Sequence, residues 1–233
     1  MIFSANMIIP FLFFYHLFYD IFLKKSIVLW NKIQLHDIIL KNWTGVLLMK
    51  IGFDIDDVIT DTSSSMKNYV MKYDKNGELK ANMEDIMRGD ASTPFIEQFF
   101  VDHFLSIAKS AKVKPHACEV IQNLLAHGHE IYLITARGEK RTIFQGSEAL
   151  TLAYLKEHGI GYTDLIFNCV DKAKVCKDYK IDVMVDDSIK HCEAVRNTGI
   201  PRILFTSIVN ESLPTSVIRV KDWWELEKEL NNL

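Results

Sequence analysis

The sequence has few cysteines, and their spacing excludes the usual metal and disulfide frameworks. None of the four lies in a C-x-x-C pair or is accompanied by a His-x₃-His arrangement: Cys118, Cys169, Cys176 and Cys192. A zinc site is therefore not expected. Most of the four have apolar neighbours, so we expect free, buried thiols of the kind found in a reducing compartment.

The sequence also lacks an excess of basic residues, internal repeats and low-complexity segments. Its formal net charge is −3, which does not give the electrostatic footprint of a nucleic-acid-binding protein, so no nucleic-acid polymer is expected as a partner. Hydrophobic residues make up 48% and charged residues 24%, as is typical of a globular protein. The 233 residues suit one medium-sized domain with an inserted subdomain, and the oligomeric state is left open.

A long, uninterrupted apolar run is missing as well. Residues 7–23 are strongly apolar, but their length is marginal for a membrane span, and His16 and Asp20 interrupt them. The charged start and small-residue cleavage site of a signal peptide are not visible. Because the predicted core begins at Met49, we favour the interpretation that residues 1–48 are translated upstream sequence. The protein would then be cytoplasmic; the alternative is a membrane anchor through residues 7–23.

The most informative stretch is a short apolar run that ends in three carboxylates, Asp54, Asp56 and Asp57. Such runs are typical of buried strands, and open α/β sheets bind ligands at the carboxyl ends of their strands. Alternation along an extended chain places Asp54 and Asp56 on the same side. Two carboxylates held this close require a cation, and Mg²⁺ prefers an all-oxygen site. The alternative is a strand that ends in an ordinary polar turn.

Residues 62–114 predict a small helical cap. Apolar residues recur at helical spacing over residues 63–80 and again over residues 93–110, where Pro94 suits the first helical position. The interval is too long for a structureless connection in a compact domain. An aromatic stripe at helical spacing, as seen here, more often forms a core than a ligand site.

From residue 116 onward, helical and strand patterns alternate. Strands are predicted over residues 130–135, 165–169, 183–187, 202–205 and 217–220. Helices are predicted over residues 116–127, 147–158, 172–179 and 189–198, with a last helix from about residue 222. This alternation predicts an α/β fold, in which a parallel sheet carries helices on both faces.

Later predicted strands also end in polar groups, and a lysine accompanies them: Thr135, Lys172, Asp186 and Asp187. With the D-x-D of Asp54 and Asp56, and Val58 in the following Thr/Val place, this order resembles the four motifs of the haloacid dehalogenase superfamily of phosphatases. The resemblance implies a Rossmann-like α/β core with a helical cap, with the following bounds: core, residues 49–61 and 115–233; cap, residues 62–114.

The resemblance implies a Mg²⁺-dependent phosphomonoester hydrolase. Asp54 would attack phosphorus and form an aspartyl-phosphate, and Asp56 would protonate the leaving oxygen and later deprotonate water. Thr135 would donate a hydrogen bond to a phosphoryl oxygen. Mg²⁺ would be held by Asp54 and the backbone carbonyl of Asp56. One of Asp186 and Asp187 would complete the site, and we favour Asp187 with Asp186 supporting it.

The same resemblance gives a role to a lysine. Lys172 would neutralise the phosphate and the carboxylates, with Lys174 as the alternative. Taken singly, each of these groups has a simpler explanation: a Thr that ends a strand, an acidic turn or a solvated lysine.

Within the superfamily, the sequence looks most like the 5′(3′)-deoxyribonucleotidases of cytosolic type C. This implies a nucleotide as the small phosphorylated substrate, with cap aromatics against the base: Phe95, Phe99 and Phe100. Ala136 and Arg137 stand where the better-known nucleotidases carry Ser-Pro, so both are candidates for substrate contact, and Arg137 could contact a different anionic substrate. The alternatives are a phosphatase of sugar or other small organic phosphates, and a non-catalytic descendant that binds phosphate or a partner.

Overall fold

The computed structural model describes residues 48–74, 77, 79 and 93–233. The interpretation of residues 1–48 therefore lies outside the described residues, apart from Leu48. The elements are, in chain order, β1 (Lys50–Phe53), α1 (Thr62–Tyr73), α2 (Pro94–Ser110), α3 (Ala117–Ala126), β2 (Glu130–Ile134), a 3₁₀ helix (Thr142–Phe144), α4 (Ser147–Glu157), β3 (Asp164–Ile166), α5 (Lys172–Tyr179), β4 (Val183–Asp186), α6 (Ile189–Arg196), β5 (Arg202–Phe205), β6 (Ile218–Val220) and α7 (Trp223–Leu230).

The strands form a parallel sheet in the order β3-β2-β1-β4-β5-β6. After β1 the chain builds outward through β2 and β3, then returns to the other side of β1 to form β4. The connections therefore diverge around β1 and β4, and this is the point at which doubly wound sheets open a crevice for ligands. The predicted α/β fold is confirmed.

Alternate residues of the strands pack against different sets of helices. Ile51 and Phe53 belong to a buried cluster that includes side chains of α3, α4 and α7. Tyr132 and Met184 belong to a second cluster, with side chains of α5 and α6. A Cβ atom at Gly52 would lie 2.8 Å from the Met184 sulfur, so any larger residue there would require Met184 to move. Because neighbouring strand residues point to opposite faces, helices cover the sheet on both sides, as predicted.

The last helix fixes the loop that follows β1. Trp223 is fully buried at the start of α7, and its ring lies 5.1 Å from that of Phe53. Its indole N–H donates to the Val58 backbone carbonyl at 3.0 Å, which satisfies the one polar atom of the ring. The loop that carries the conspicuous carboxylates is therefore held from the far end of the chain.

The helices α1 and α2 pack against each other through an apolar cluster of Met66, Val70, Ile96 and Phe99, among others. The chain leaves the core and returns to it through two adjacent segments. The Asp61 amide donates to the Lys112 carbonyl, and the Lys114 amide donates to the Ile59 carbonyl, both at 2.8 Å. Paired connections of this kind fit an inserted unit, and its role as a lid stays a prediction.

Two elements end earlier than the sequence pattern extends. The helical spacing of residues 63–80 gives a helix as far as Tyr73; it ends there because Asp74 accepts a hydrogen bond from the Leu79 amide and Gly77 has a φ of 75°. The strand predicted over residues 165–169 is Asp164–Ile166, since the chain turns at Asn168, where φ is 57°.

The cysteines are all free, and three of them are buried: Cys169, Cys176 and Cys192. Among the described residues, no helix has both the length and the apolar character needed to cross a membrane.

Candidate active site

The carboxyl ends of β1 and β4 bring three carboxylates together. The Asp54 amide donates to the Val185 carbonyl at 3.0 Å, so the two strand ends remain in register. Asp54, Asp186 and Asp187 each offer an oxygen atom, and these atoms lie within 4.8 Å of one another. The sequence places these residues far apart, and the parallel register of the neighbouring strands brings them to one edge of the sheet.

A buried lysine lies between two of these carboxylates. Lys172 is the first residue of α5, and its Nζ atom lies 2.9 Å from Asp54 Oδ1 and 2.6 Å from Asp186 Oδ2. Burial alone would lower the pKa of Lys172, but the two carboxylates outweigh it and raise that pKa. The alternative, Lys174, is exposed and pairs with Asp178 on the same helix.

The two carboxylates that share Lys172 differ in their remaining partners. Asp186 Oδ1 accepts from the Ser188 amide at 2.9 Å and lies 3.2 Å from His191 Nδ1. Although burial opposes ionisation, Lys172 and His191 lower the pKa of Asp186 to about 2. Burial raises the pKa of Asp54 to about 6, only partly offset by Lys172. Asp186 is thus the carboxylate of the pair that is held in its ionised form. Asp54 has fewer hydrogen-bond partners.

Asp187 is bonded by neutral groups, and no ion pair with it is seen among the described residues. Its carboxylate accepts from the Ser207 hydroxyl at 3.3 Å, and its backbone carbonyl accepts from Asn210 Nδ2 at 2.7 Å. Burial, followed by the negative charges of Asp57, Asp186 and Asp54, raises the pKa of Asp187 well above its usual range. Three carboxylates facing one lysine fit a hard divalent cation, and an all-oxygen donor set is the one that Mg²⁺ prefers.

Asp56 lies at the edge of this cluster and is bound by a buried guanidinium. Arg137 donates from Nε to Asp56 Oδ2 at 3.0 Å and from Nη2 to Oδ1 at 2.6 Å. The Thr62 hydroxyl donates to Oδ1 at 2.7 Å. Burial would raise the pKa of Asp56, but the Arg137 charge and its hydrogen bonds outweigh it and hold that pKa below its usual value.

The segment after β2 supplies the remaining predicted polar group. Thr135 is fully buried, and its hydroxyl oxygen accepts from the Arg137 amide at 3.2 Å. Ala136 lies between them and is partly exposed. Arg137 also donates from Nη1 to the Thr151 hydroxyl at 3.0 Å. The strand end thus orients both a hydroxyl and a guanidinium, and their contact with substrate stays a prediction.

The third carboxylate of the first motif has a local structural partner. Asp57 has a φ of 59°, a left-handed conformation that Asp tolerates better than most residues. Its carboxylate accepts from both the amide and the hydroxyl of Ser63, in the first turn of α1. Burial raises the pKa of Asp57 to about 6. Asp57 therefore anchors α1 to the loop after β1.

The predicted cap aromatics lie in different environments. Phe99 is only 5% exposed, in the cluster between α1 and α2; Phe100 is partly buried beside it; and Phe95 is exposed. A different ring, Phe104 of α2, lies over Arg137, with its centroid 5.8 Å from the guanidinium carbon. This phenylalanine was not among the predicted site residues.

Other site residues were missed because their function depends on the fold. Thr62, His191 and Asn210 contact the acidic residues only through side-chain bonds that no local pattern reveals. A usable signal existed for one contact. Arg137 directly follows a predicted strand end, and a buried arginine there requires a carboxylate partner.

The comparisons with known proteins agree with this geometry. Residues 48–231 match the profile of one family, described as 5′ nucleotidase, deoxy (Pyrimidine), cytosolic type C protein. A search of curated proteins gave no significant match.

Two solved structures illustrate the similarity of fold. A predicted phosphatase from Clostridium acetobutylicum is 16% identical, with a TM-score of 0.55 over 80% of this chain and 100% of that one. YfnB from Bacillus subtilis, named as a HAD-hydrolase and determined with bound magnesium, is 12% identical, with a TM-score of 0.54 over 80% of this chain and 100% of that one.

Proposed function

Since the chain belongs to the 5′ nucleotidase, deoxy (pyrimidine), cytosolic type C family, we propose that it hydrolyses the phosphate ester of small nucleotides. Membership makes it a phosphatase of the haloacid dehalogenase superfamily. The observation that carries the proposal is the position of Lys172 between Asp54 and Asp186, beside a third carboxylate. Lys172 and a divalent cation held by these carboxylates would together present positive charge to a dianionic phosphoryl group from two sides.

In the proposed reaction, an Asp54 oxygen attacks phosphorus, and the bond between phosphorus and the ester oxygen breaks. Asp56 gives a proton to the departing oxygen, which leaves as an alcohol. Asp56 then takes a proton from water as the water attacks the aspartyl-phosphate, so inorganic phosphate is released and Asp54 is regenerated. The Thr135 hydroxyl donates a hydrogen bond to a phosphoryl oxygen.

The proposed cofactor is Mg²⁺, which would be held by Asp54, Asp187 and the Asp56 backbone carbonyl, with Asp186 supporting them. When bound, it supplies positive charge to the phosphoryl oxygens. The support is the set of carboxylate oxygens that Asp54, Asp186 and Asp187 offer within 4.8 Å of one another, the kind of donor that Mg²⁺ prefers. Lys172 would keep its ammonium group against both Asp54 and the phosphoryl group.

We also propose that residues 62–114 form a lid that selects the leaving group. An aspartyl-phosphate intermediate must be shielded from water until the alcohol has left, so a cover is needed. Helix α1 is anchored at the site through Thr62 and Ser63, which donate hydrogen bonds to the carboxylates of Asp56 and Asp57. Phe95 and Phe100, which are not fully buried, are the candidates among the predicted rings for contact with a base.

A substrate panel tests the proposal. Purified protein should release phosphate in a Mg²⁺-dependent way from 5′-deoxynucleotides more efficiently than from sugar phosphates. Asp54→Asn should abolish turnover, whereas Asp164→Asn, at an exposed position on β3, should retain it. Acid quenching during turnover of ³²P-labelled substrate should leave label on the wild-type protein and none on Asp54→Asn.

The outcomes separate the alternatives. A preference for sugar phosphates would support the proposed reaction but show that the substrate is not a nucleotide. Phosphate binding without turnover on any substrate would favour the non-catalytic descendant. Activity of Asp54→Asn equal to that of wild type would contradict the mechanism.

A further inference from the structure

A series of side-chain contacts connects the proposed lid to Asp56 through Arg137. Arg137 is only 2% exposed, and its guanidinium makes a two-pronged contact with the Asp56 carboxylate. Such a fork fixes the plane of the carboxylate as well as its position. A third bond, to Thr151 of α4, holds the guanidinium itself against the core.

The opposite face of the guanidinium belongs to the inserted segment. Phe104 of α2 lies with its ring centroid 5.8 Å from the guanidinium carbon, a distance typical of a cation–π contact. The same ring lies 4.6 Å from that of Phe144, in the 3₁₀ helix of the core. Thr62, at the start of α1, reaches the other side of Asp56. Both helices of the proposed lid therefore contact the Asp56–Arg137 pair.

We propose that Arg137 is a positioning residue for proton transfer by Asp56, and that Phe104 makes this positioning depend on the lid. The inference rests on the proposed function, in which Asp56 protonates the leaving oxygen. A carboxyl group transfers a proton only within hydrogen-bond reach and in the right orientation. The fork removes the rotational freedom that Asp56 would otherwise have. It also favours the ionised carboxylate, so Asp56 would take up its proton once the negative phosphoryl group lies beside it. Phe104 of α2 lies against the guanidinium that makes the fork.

If Arg137 positions Asp56, the effect of losing Arg137 on the rate should depend on the leaving group. If Arg137 only neutralised charge, the effect should be the same for all leaving groups. A good leaving group, such as p-nitrophenolate, departs without a proton, so the orientation of Asp56 matters little for it. An alkoxide, such as the 5′ oxygen of a nucleoside, needs the proton. Loss of the fork should therefore reduce turnover of alkyl phosphates by roughly the 10²–10⁴-fold that general acid catalysis contributes, and turnover of p-nitrophenyl phosphate far less.

The experiment measures kcat and KM for a series of substituted phenyl phosphates and one alkyl phosphate, all with Mg²⁺. Arg137→Gln should steepen the dependence of kcat/KM on the pKa of the leaving group, because kcat/KM reports the step in which that group departs. Arg137→Lys, which keeps the charge and loses the fork, should give an intermediate slope. Phe104→Leu should steepen the slope in the same direction with a smaller effect. Arg141→Gln is the matched control, since this arginine is exposed and lies over Phe144.

Equal losses in kcat/KM on every substrate in both Arg137 variants, with an unchanged slope, would overturn the proposal, because a merely structural arginine would act in that way. A wild-type slope in Phe104→Leu would overturn the link to the lid. If Arg137→Gln fails to fold, as a lowered melting temperature would show, Arg137→Lys and Phe104→Leu carry the test. A wild-type protein without turnover on any substrate would instead contradict the proposed function, and this inference with it.

Discussion

The Nζ atom of Lys172 lies 2.9 Å from Oδ1 of Asp54, and both side chains are buried. The lysine approaches from the start of α5, and the aspartate from the end of β1, so the contact depends on the correct packing of α5 against the sheet. A buried ion pair contributes little net stability, but removal of one partner leaves the other charge without compensation. The contact therefore links the fold to the chemistry.

Lys172→Met should reduce kcat by roughly 10²–10³-fold, the usual loss when one electrostatic stabiliser of a transition state is removed. It should also lower the melting temperature, since Asp54 and Asp186 then face each other without a cation. Lys174→Met, two positions away on the exposed face of α5, is the matched control and should behave as wild type. A larger loss of kcat in Lys174→Met than in Lys172→Met would show that Lys174 neutralises the carboxylates.

Mg²⁺ should stabilise the folded protein in the absence of substrate. A cation that binds only the folded state at about a hundredfold excess over its Kd contributes about 2.7 kcal/mol to the free energy of unfolding. Asp187→Asn should reduce this increment, while Asp164→Asn should retain it. Chemical unfolding with Mg²⁺ or with EDTA provides the measurement, and an increment that is identical in both variants would place the metal elsewhere.

We expect His129, which lies outside the acidic cluster, to make the stability of the protein depend on pH. Its ring is buried, and Nδ1 accepts from the Met49 amide at 3.2 Å. Burial, with the nearby His127 charge, lowers the pKa of His129 below 6.5. Because the unfolded chain takes up this proton first, stability is complete above the unfolded pKa and is lost as the pH falls through the folded one.

Urea unfolding at pH values on either side of 6.5 should therefore show a loss of stability on the acidic side. His129→Gln should flatten this dependence, whereas His158→Gln, which alters an exposed ring, should keep the wild-type slope. An unchanged slope in His129→Gln would mean that another group titrates in this interval.

The sequence predicts those parts of the site that are local. An apolar run followed by a carboxylate places Asp54 and Asp186 at strand ends, and the parallel sheet then makes them neighbours. The position of Lys172 at the start of a predicted helix favours it over Lys174, and its side chain does reach the carboxylates. The ends of the predicted elements locate these side chains, and the resemblance to the haloacid dehalogenase superfamily assigns them to one site.

The rest depends on side chains that meet across long separations. Asp56 and Arg137 are 81 positions apart, and their fork requires the loop after β1 to face the loop after β2. Phe104 has the same helical spacing as its neighbours on α2, so its pattern could not distinguish contact with Arg137 from contact within the cap. The choice among identical rings is made by the rotation of α2 against the core.

The cap phenylalanines provide the last prediction. Phe99 lies in the cluster of α1 and α2, where its ring is 5.7 Å from that of Phe100. Phe99→Ala should therefore lower the free energy of unfolding by about 3–5 kcal/mol, the usual cost of a cavity at a buried phenylalanine, and reduce turnover of nucleotide and aryl phosphates together. Phe95→Ala, at an exposed position, should keep wild-type stability and raise only the KM for the nucleotide. Parallel urea unfolding and kinetics distinguish the two effects. A stable Phe99→Ala protein with a raised KM for the nucleotide alone would show instead that this ring leaves the cluster to hold the base.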